Sequence, residues 1–322
     1  MKILVIRLSS IGDIVLTTPV IRCLKRQVPG IQLHYLVKAS FIPVLEANPY
    51  IDKLHIYGDH TIEELKQEAF DYVIDLHHNL RSLRIKKALK TTAYSFNKLN
   101  IRKFILTTLK MNFLPDVHIV DRYMETVASF GVKNDELGLD YFIPEKDKIK
   151  DNDIPASHQA GYIGIVIGAA HNTKKLPLYK LQSLCAAIRH PVILLGGKDD
   201  RELGEQIASV DKHKIYNSCG KFNINESADL VRRAKLIVTH DTGLMHIAAA
   251  FKKPVVSVWG NTVPEFGMYP YKTAYDVFEI KKLYCRPCSK IGYRKCPLGH
   301  FKCMEKQSVE NIAERVMLRI GR

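Results

Sequence analysis

Short apolar runs that alternate with helix-periodic segments from one end to the other constrain this chain more than any other feature. Lys2–Leu8, Ile31–Val37, Leu54–Tyr57, Tyr72–Leu76 and Ala93–Phe96 are strand-sized, and helical patterns start near Gly12, Pro43, Ile62, Leu80, Lys98 and His118. The same alternation restarts with strands at Tyr162–Ile167, Val192–Leu195, Lys214–Asn217, Leu236–Thr239 and Val255–Trp259, and helices near Leu178, Asp200, Glu226 and Gly243. Strands separated by crossover helices predict parallel sheets, so the chain reads as α/β with two Rossmann-like domains facing each other. Between the two series, Asn134–Gln159 carries Pro144, Pro155 and many charges but few periodic apolar positions, which predicts an interdomain linker. The expected domains are residues 1–155 and 156–322. A last amphipathic pattern, Val309, Ile312, Ala313, Val316 and Ile320, predicts a terminal helix packed by one face.

Charge and composition narrow the class. The 322 residues are 46% hydrophobic and 25% charged, the usage of a globular chain. The apolar runs fall well short of the ~20 residues of a membrane span. The first residues enter a strand with a charge at Arg7 and no small-residue cleavage site, so the expectation is a soluble, cytoplasmic protein. The net charge of +15 is regional: Leu76–Pro115 holds nine Lys or Arg and no acid, and Lys281–Arg322 holds eleven bases against three acids. Such a field attracts nucleic acid, an anionic membrane surface or a phosphorylated substrate, and charge alone does not choose among them.

Three strand ends carry chemistry. The first strand runs into Ser9-Ser10-Ile11-Gly12-Asp13, at the carboxyl end where open parallel sheets place ligands. Asp13 there is either a first-turn acid favoured by the helix dipole or a general base. No GxGxxG follows this strand and the chain has no GxxxxGK[ST], so neither a standard dinucleotide fold nor a P-loop is supported. In the second half, Gly168-Ala-Ala-His-Asn-Thr173-Lys174-Lys175 brings small residues, backbone N–H groups and two cations to one strand end, a place suited to phosphate. Leu195-Gly196-Gly197 repeats the arrangement, with Glu202 in the next first turn able either to cap or to accept bonds from ribose hydroxyls. Thr239-His240-Asp241-Thr242-Gly243-Leu244-Met245-His246 then ends a strand in a polar turn and starts a small-residue helix whose unpaired N–H groups suit a diphosphate. The next strand delivers Gly260-Asn261-Thr262 beside it, and His246, about one and a half turns into the helix, is either a core residue or a ligand contact.

These residues resemble a family. Ser9–Asp13, Lys174-Lys-Leu-Pro177, Gly196-Gly197, Asp241–Ala250 and Gly260-Asn-Thr262 are similar to the ADP-heptose:lipopolysaccharide heptosyltransferases of glycosyltransferase family 9, over nearly the whole chain. The resemblance implies the GT-B architecture, with an acceptor held by the first domain and a nucleotide sugar by the second. It implies Asp13 as catalytic base, with Ser10 and Gly12 in the same substrate-binding turn. Lys174 is implied on the donor phosphates beside Thr173, Glu202 on the ribose, and Asp241, Thr242, Gly243, Leu244 and His246 in the donor-binding turn. The chain departs from the family at Leu176-Pro177, where Trp-Pro is usual. An inverting displacement is implied, with the departing diphosphate stabilised by Lys174 and the N–H groups near Thr242, and with no metal ion required for transfer.

The expected partners are then an ADP-sugar and a lipid-anchored, anionic saccharide of the lipopolysaccharide inner core. The expected location is peripheral, on the inner face of the cytoplasmic membrane. Lys98–Leu114 interleaves bases with Leu99, Ile101, Phe104, Ile105, Leu109 and Phe113, a pattern for a membrane interface or for a helix packed on its own sheet. A transferase using another nucleotide sugar is the nearest alternative. A nucleic-acid-binding protein finds no RRM, KH, helix-turn-helix or zinc-finger pattern, so no nucleic acid is expected. Cys23, Cys185 and Cys219 read as core thiols, whereas Cys285, Cys288, Cys296 and Cys303 cluster. In a cytoplasmic chain that cluster is a structural zinc site, a set of free thiols or a redox-labile pair.

Overall fold

The structure, a computed structural model, describes residues 1–321. Contacts divide the chain into two compact units: Met1–Leu99 with Val117–Pro144, and Asn100–Asp116 with Glu145–Arg322.

Unit 1 is built on five parallel strands, β1 (Lys2–Ile6), β2 (Gln32–Val37), β3 (Lys53–Ile56), β4 (Tyr72–Asp75) and β5 (Thr92–Ser95), in the order β3-β2-β1-β4-β5. The central strand β1 is Lys-Ile-Leu-Val-Ile, and its last four residues are inaccessible to solvent, as burial on both faces of a parallel sheet demands. Helices cover the sheet, and the capping chemistry sets their ends. Asn79 accepts from the N–H groups of Arg81 and Ser82 to open Leu80–Leu89, and Lys90 closes it in the left-handed conformation. The expected helix near Pro43 is instead a 3₁₀ segment, Ala39–Val44, because a proline inside it supplies no N–H for an α-helical bond.

Unit 2 holds six parallel strands, β6 (Ile163–Val166), β7 (Val192–Leu195), β8 (Ile215–Asn217), β9 (Leu236–His240), β10 (Val255–Trp259) and β11 (Tyr275–Glu279), in the order β11-β10-β9-β6-β7-β8. Strand β11 is absent from the sequence reading. It is a half-buried edge strand, Tyr-Asp-Val-Phe-Glu, with too few apolar residues to stand out from a loop. One face is closed by the terminal helix Val309–Ile320, whose Ile312, Ala313 and Val316 join a core with Leu181, Leu184 and Val256, as its spacing predicts.

Two boundaries differ from expectation. The units divide at Pro144/Glu145 rather than at 155/156, because Asn134–Gln159 is anchored rather than loose. Its first part is tied into unit 1 by the buried Arg22, which donates to both carboxylate oxygens of Asp135 at 2.7 and 2.8 Å, to Asp140, and to the Gly138 carbonyl at 2.8 Å. Its second part is tied into unit 2, where the Ile149 N–H donates to Asp229 at 2.9 Å and Arg233 to the Ile149 carbonyl at 2.9 Å. The basic helix Asn100–Leu109 belongs with unit 2, where Leu106 is buried against Val263 and Phe266. It is therefore not packed on the first-half sheet that precedes it.

Candidate active site

In a doubly wound sheet, ligands bind beyond the carboxyl ends of the strands, where the order reverses. In unit 1 that point lies between β1 and β4, and in unit 2 between β6 and β9. Every strand-end motif singled out above except the β7 turn leaves one of these four strands or the neighbouring β10.

At the β1 end, Ser10 is the N-cap of the short helix Ile11–Val15 and Asp13 is its third residue. The Asp13 carboxylate accepts from the Ser10 hydroxyl at 2.8 Å and forms an ion pair with Arg7 at 2.5 Å, while its side chain stays 21% accessible. Asp13 thus serves as the first-turn acid of this helix, and its carboxylate is held in a fixed orientation at the strand end. Gly12 is buried under the turn and Ser10 is exposed. Arg7 does the orienting. It is pinned by the carbonyls of Ser9 at 2.8 Å and Leu76 at 2.5 Å and by the Tyr123 hydroxyl at 2.9 Å. Burial works against its charge, but Asp13 and the flanking tyrosines leave its pKa raised.

The β4 end supplies two residues that sequence reading missed. Asp75, fully buried, accepts from the His77 and His78 N–H groups at 3.0 and 2.7 Å and from the Ser82 hydroxyl at 2.8 Å, and it pairs with Lys86 at 2.8 Å. It holds the turn that carries His77. Burial, together with Arg7 and Lys98, lowers the His77 pKa to about 4, so its ring is neutral at pH 7. Its buried Nδ1 has no hydrogen-bond partner among the described residues. The signal was present as two histidines after a strand, but nothing local marks one as buried.

In unit 2 the β6 and β9 turns meet. Lys174 Nζ forms an ion pair with Asp241 Oδ2 at 2.6 Å, and Thr262, from the β10 turn, donates to the same oxygen at 3.0 Å. Lys175 pairs with Asp200 at 2.7 Å, and Asp200 accepts the Gly197 N–H at 3.1 Å. A side chain at Gly168 would collide with Asp200, since a Cβ there would stand 2.3 Å from its Oδ2, so only glycine lets the two turns close together. Thr242 is the N-cap of helix Gly243–Ala250 and no side chain caps that end, which leaves its first-turn N–H groups for a ligand. Leu244 is partly accessible beside them, and Glu202 is exposed in the first turn of Arg201–Ala208, beyond β7.

Two of the expected contacts lie deeper. His246 is 2% exposed, and Thr173 is 3% exposed with its hydroxyl already donating to the Tyr293 carbonyl at 3.1 Å and accepting the Tyr293 N–H at 2.8 Å. Thr173 thus joins the loop after β6 to the cysteine-rich segment. His240 does similar work below the loop. Its Nε2 accepts the Leu176 N–H at 3.0 Å, and burial beside Lys175 lowers its pKa to about 4, which keeps that nitrogen an acceptor.

Of the four clustered cysteines, Cys303 is buried and the others are partly exposed. Burial and the neighbouring thiols raise Cys288, and the same causes push Cys303 up to about 12. The segment is fastened by Arg286, buried against Glu279 at 2.7 Å, which donates to the Gly260 and Thr262 carbonyls at 2.7 and 2.8 Å.

Two doubly wound parallel α/β sheets, each with an ion pair at its switch point, give the class, a GT-B glycosyltransferase. The chain belongs to glycosyltransferase family 9 (heptosyltransferase), whose model matches residues 60–298. It is 26% identical over 294 residues to lipooligosaccharide heptosyltransferase 2 of Haemophilus influenzae, covering 83% of this chain and 85% of that one. A relative from Campylobacter jejuni, also lipooligosaccharide heptosyltransferase 2, is 23% identical over 98% of both chains. Among solved structures, a glycosyltransferase family 9 protein of Veillonella parvula superposes with a TM-score of 0.78 at 23% identity, covering 99% of this chain and 97% of that chain. The Escherichia coli ADP-heptose lipopolysaccharide heptosyltransferase II has the same fold, with a TM-score of 0.77 at 20% identity over 99% and 98%.

Proposed function

We propose that this enzyme moves heptose from ADP-heptose to a lipopolysaccharide inner-core acceptor, with inversion at the anomeric carbon. The observation that carries the donor assignment is the Lys174–Asp241–Thr262 cluster beside the uncapped start of helix Gly243–Ala250. A cation, a hydroxyl and free amides at one point form a receptor for a diphosphate. Glu202 accepts from the ribose hydroxyls, and unit 1 holds the acceptor. Asp13, aligned by Arg7 and Ser10, takes the proton from the acceptor hydroxyl as that oxygen attacks the anomeric carbon. The diphosphate leaves on the opposite face, its growing charge met by Lys174 and the amides at Thr242 and Gly243. These protein groups supply the stabilisation, and transfer requires no cofactor.

The departure at Leu176 motivates the second reading, a different sugar on the nucleotide. Leu176 is buried and its N–H is committed to His240, so it shapes the loop that carries Lys174. Calorimetric titration with ADP-heptose, other ADP-sugars and UDP-sugars separates the two. Binding of ADP-heptose at least tenfold tighter than the rest is expected, and a preference for a UDP-sugar would overturn the donor assignment.

A peripheral place at the inner face of the cytoplasmic membrane is the companion proposal. No helix among the described residues is long and apolar enough to cross a membrane. Helix Asn100–Leu109 turns Leu106 inward and leaves Ile101 at 76%, Phe104 at 59% and Leu109 at 62% exposure, flanked by Arg102, Lys103 and Lys110. Apolar side chains set among bases fit an anionic interface, where each base adds about 1 kcal/mol. Flotation with anionic vesicles is expected to carry the protein, less so at high salt and less so for Ile101→Ser combined with Phe104→Ser. Equal flotation with neutral vesicles would count against it.

A further inference from the structure

The transfer proposed above uses none of the clustered cysteines, yet the fold brings all four to one place. Cys285, Cys288, Cys296 and Cys303 line a single cavity of ≈ 30 Å³ together with Thr173 and Asn261. We propose that this cavity is a metal site: the four thiolates hold one zinc ion, and the ion fixes the cysteine-rich segment against the donor-binding turns.

The need for an anchor comes first. Residues 280–301 contain no helix or strand, well past the ~15 residues beyond which a structureless connection is uncommon. They also bury little, with Tyr284 at 71%, Ile291 at 64% and Leu298 at 52% exposure. A segment that cannot hold itself by apolar burial is where a metal contributes folding energy outright. The donors come next. Four sulfur ligands select zinc over hard cations, and a zinc–sulfur distance of about 2.3 Å sets tetrahedral sulfurs about 3.8 Å apart. Space for one water-sized body takes at least ~10–15 Å³, so the cavity has room for an ion. No three of the four sulfurs lie within 4.8 Å of one another, so the thiols would have to draw in to bind the ion. His300, whose Nε2 is 3.8 Å from the Cys285 sulfur, sits at the edge.

The other cluster of ligand-type side chains does not compete. His34, His55 and Glu68 bring their ligand atoms within 4.8 Å of one another. But the two rings are within 2.9 Å, in hydrogen-bond contact, and Glu68 is held by Lys2 at 2.9 Å and Lys53 at 2.5 Å. Two ammonium groups at that distance oppose a cation.

What the ion would hold follows from the bonds the segment makes. The Cys288 N–H donates to the Asn261 carbonyl at 3.3 Å, and Asn261 donates to Ser289 at 3.2 Å. Thr173 exchanges bonds with Tyr293, and Gly292, at φ +121°, comes so close to His171 that a Cβ would stand 2.6 Å from its own. Thr173 precedes Lys174, and Asn261 precedes Thr262. Releasing the segment therefore loosens both ends of the diphosphate receptor, and this second half of the proposal rests on the donor reading given above.

Untagged protein, purified without chelators, is measured by elemental analysis and by ADP titration. One equivalent of zinc per chain is expected. Chelation of the wild type, or Cys288→Ser with Cys296→Ser, removes the metal and weakens ADP binding roughly tenfold, and zinc restores the chelated wild type. His300→Ala retains the metal. If the double variant does not fold, the chelated wild type decides, with its melting temperature and thiol reactivity as readouts. Protein without stoichiometric metal, or with a disulfide among the four, overturns the site. Metal that can be stripped with no change in ADP affinity overturns the coupling. Loaded protein that binds no ADP leaves the metal site standing and sinks the donor reading instead.

Discussion

Asp13→Asn is expected to lower turnover by ~10²–10⁴, the range a positioned general base supplies. The substitution is nearly isosteric, so the Ser10 hydroxyl keeps an oxygen to bond and the short helix keeps its cap. On the proposed mechanism, what it removes is the site that receives the acceptor proton. It also removes the anionic partner of Arg7, but Arg7 retains the Ser9 and Leu76 carbonyls and the Tyr123 hydroxyl. The effect should therefore appear in kcat with donor and acceptor saturating, while the melting temperature moves by a few degrees at most. ADP affinity should be unchanged, because the proposed donor receptor lies in the other unit. Near-normal turnover in folded protein would remove Asp13 from the role of base.

Lys174→Ala should cost ~10²–10³ in kcat/KM, the scale for deleting one preorganised group that meets transition-state charge. Here the structure adds a second loss. In the wild type Lys174 pairs with Asp241 at 2.6 Å, so the alanine variant leaves that carboxylate without its cation and, on the proposed mechanism, facing the departing diphosphate. The pair is coupled, and its single-site effects will not add. Lys174→Ala with Asp241→Asn is expected to recover part of the loss of the single lysine variant in steady-state kinetics. A double variant as poor as the product of the two single losses would mean that Asp241 bonds the donor directly instead of setting the lysine.

Sequence and structure agree where local chemistry determines the outcome. Strands such as Ile163–Val166 and Val255–Trp259 are recognisable because a strand buried on both faces must be apolar throughout. The turns after β1, β6 and β9 are recognisable because small and polar residues collect where a buried strand hands over to a helix. Pairings between distant positions are not legible in this way. Nothing near Arg22 shows that its partners are Asp135 and Asp140, and nothing near Lys174 shows that its partner is Asp241. His77 is functional in appearance only once its burial beside Arg7 is known. The apolar stripe of Asn100–Leu109 was evident from its spacing, but spacing cannot say which surface receives Leu106.

That helix has a practical consequence. Because residues 100–116 belong with Glu145–Arg322 while the chain on both sides of them belongs elsewhere, the second unit cannot be obtained by a single cut. A fragment beginning at Glu145 would bare Val263 and Phe266, the cover for which is encoded upstream. A self-sufficient version would have to graft the 100–116 segment onto it, and a chimera exchanging halves between relatives would have to carry this piece with the second half.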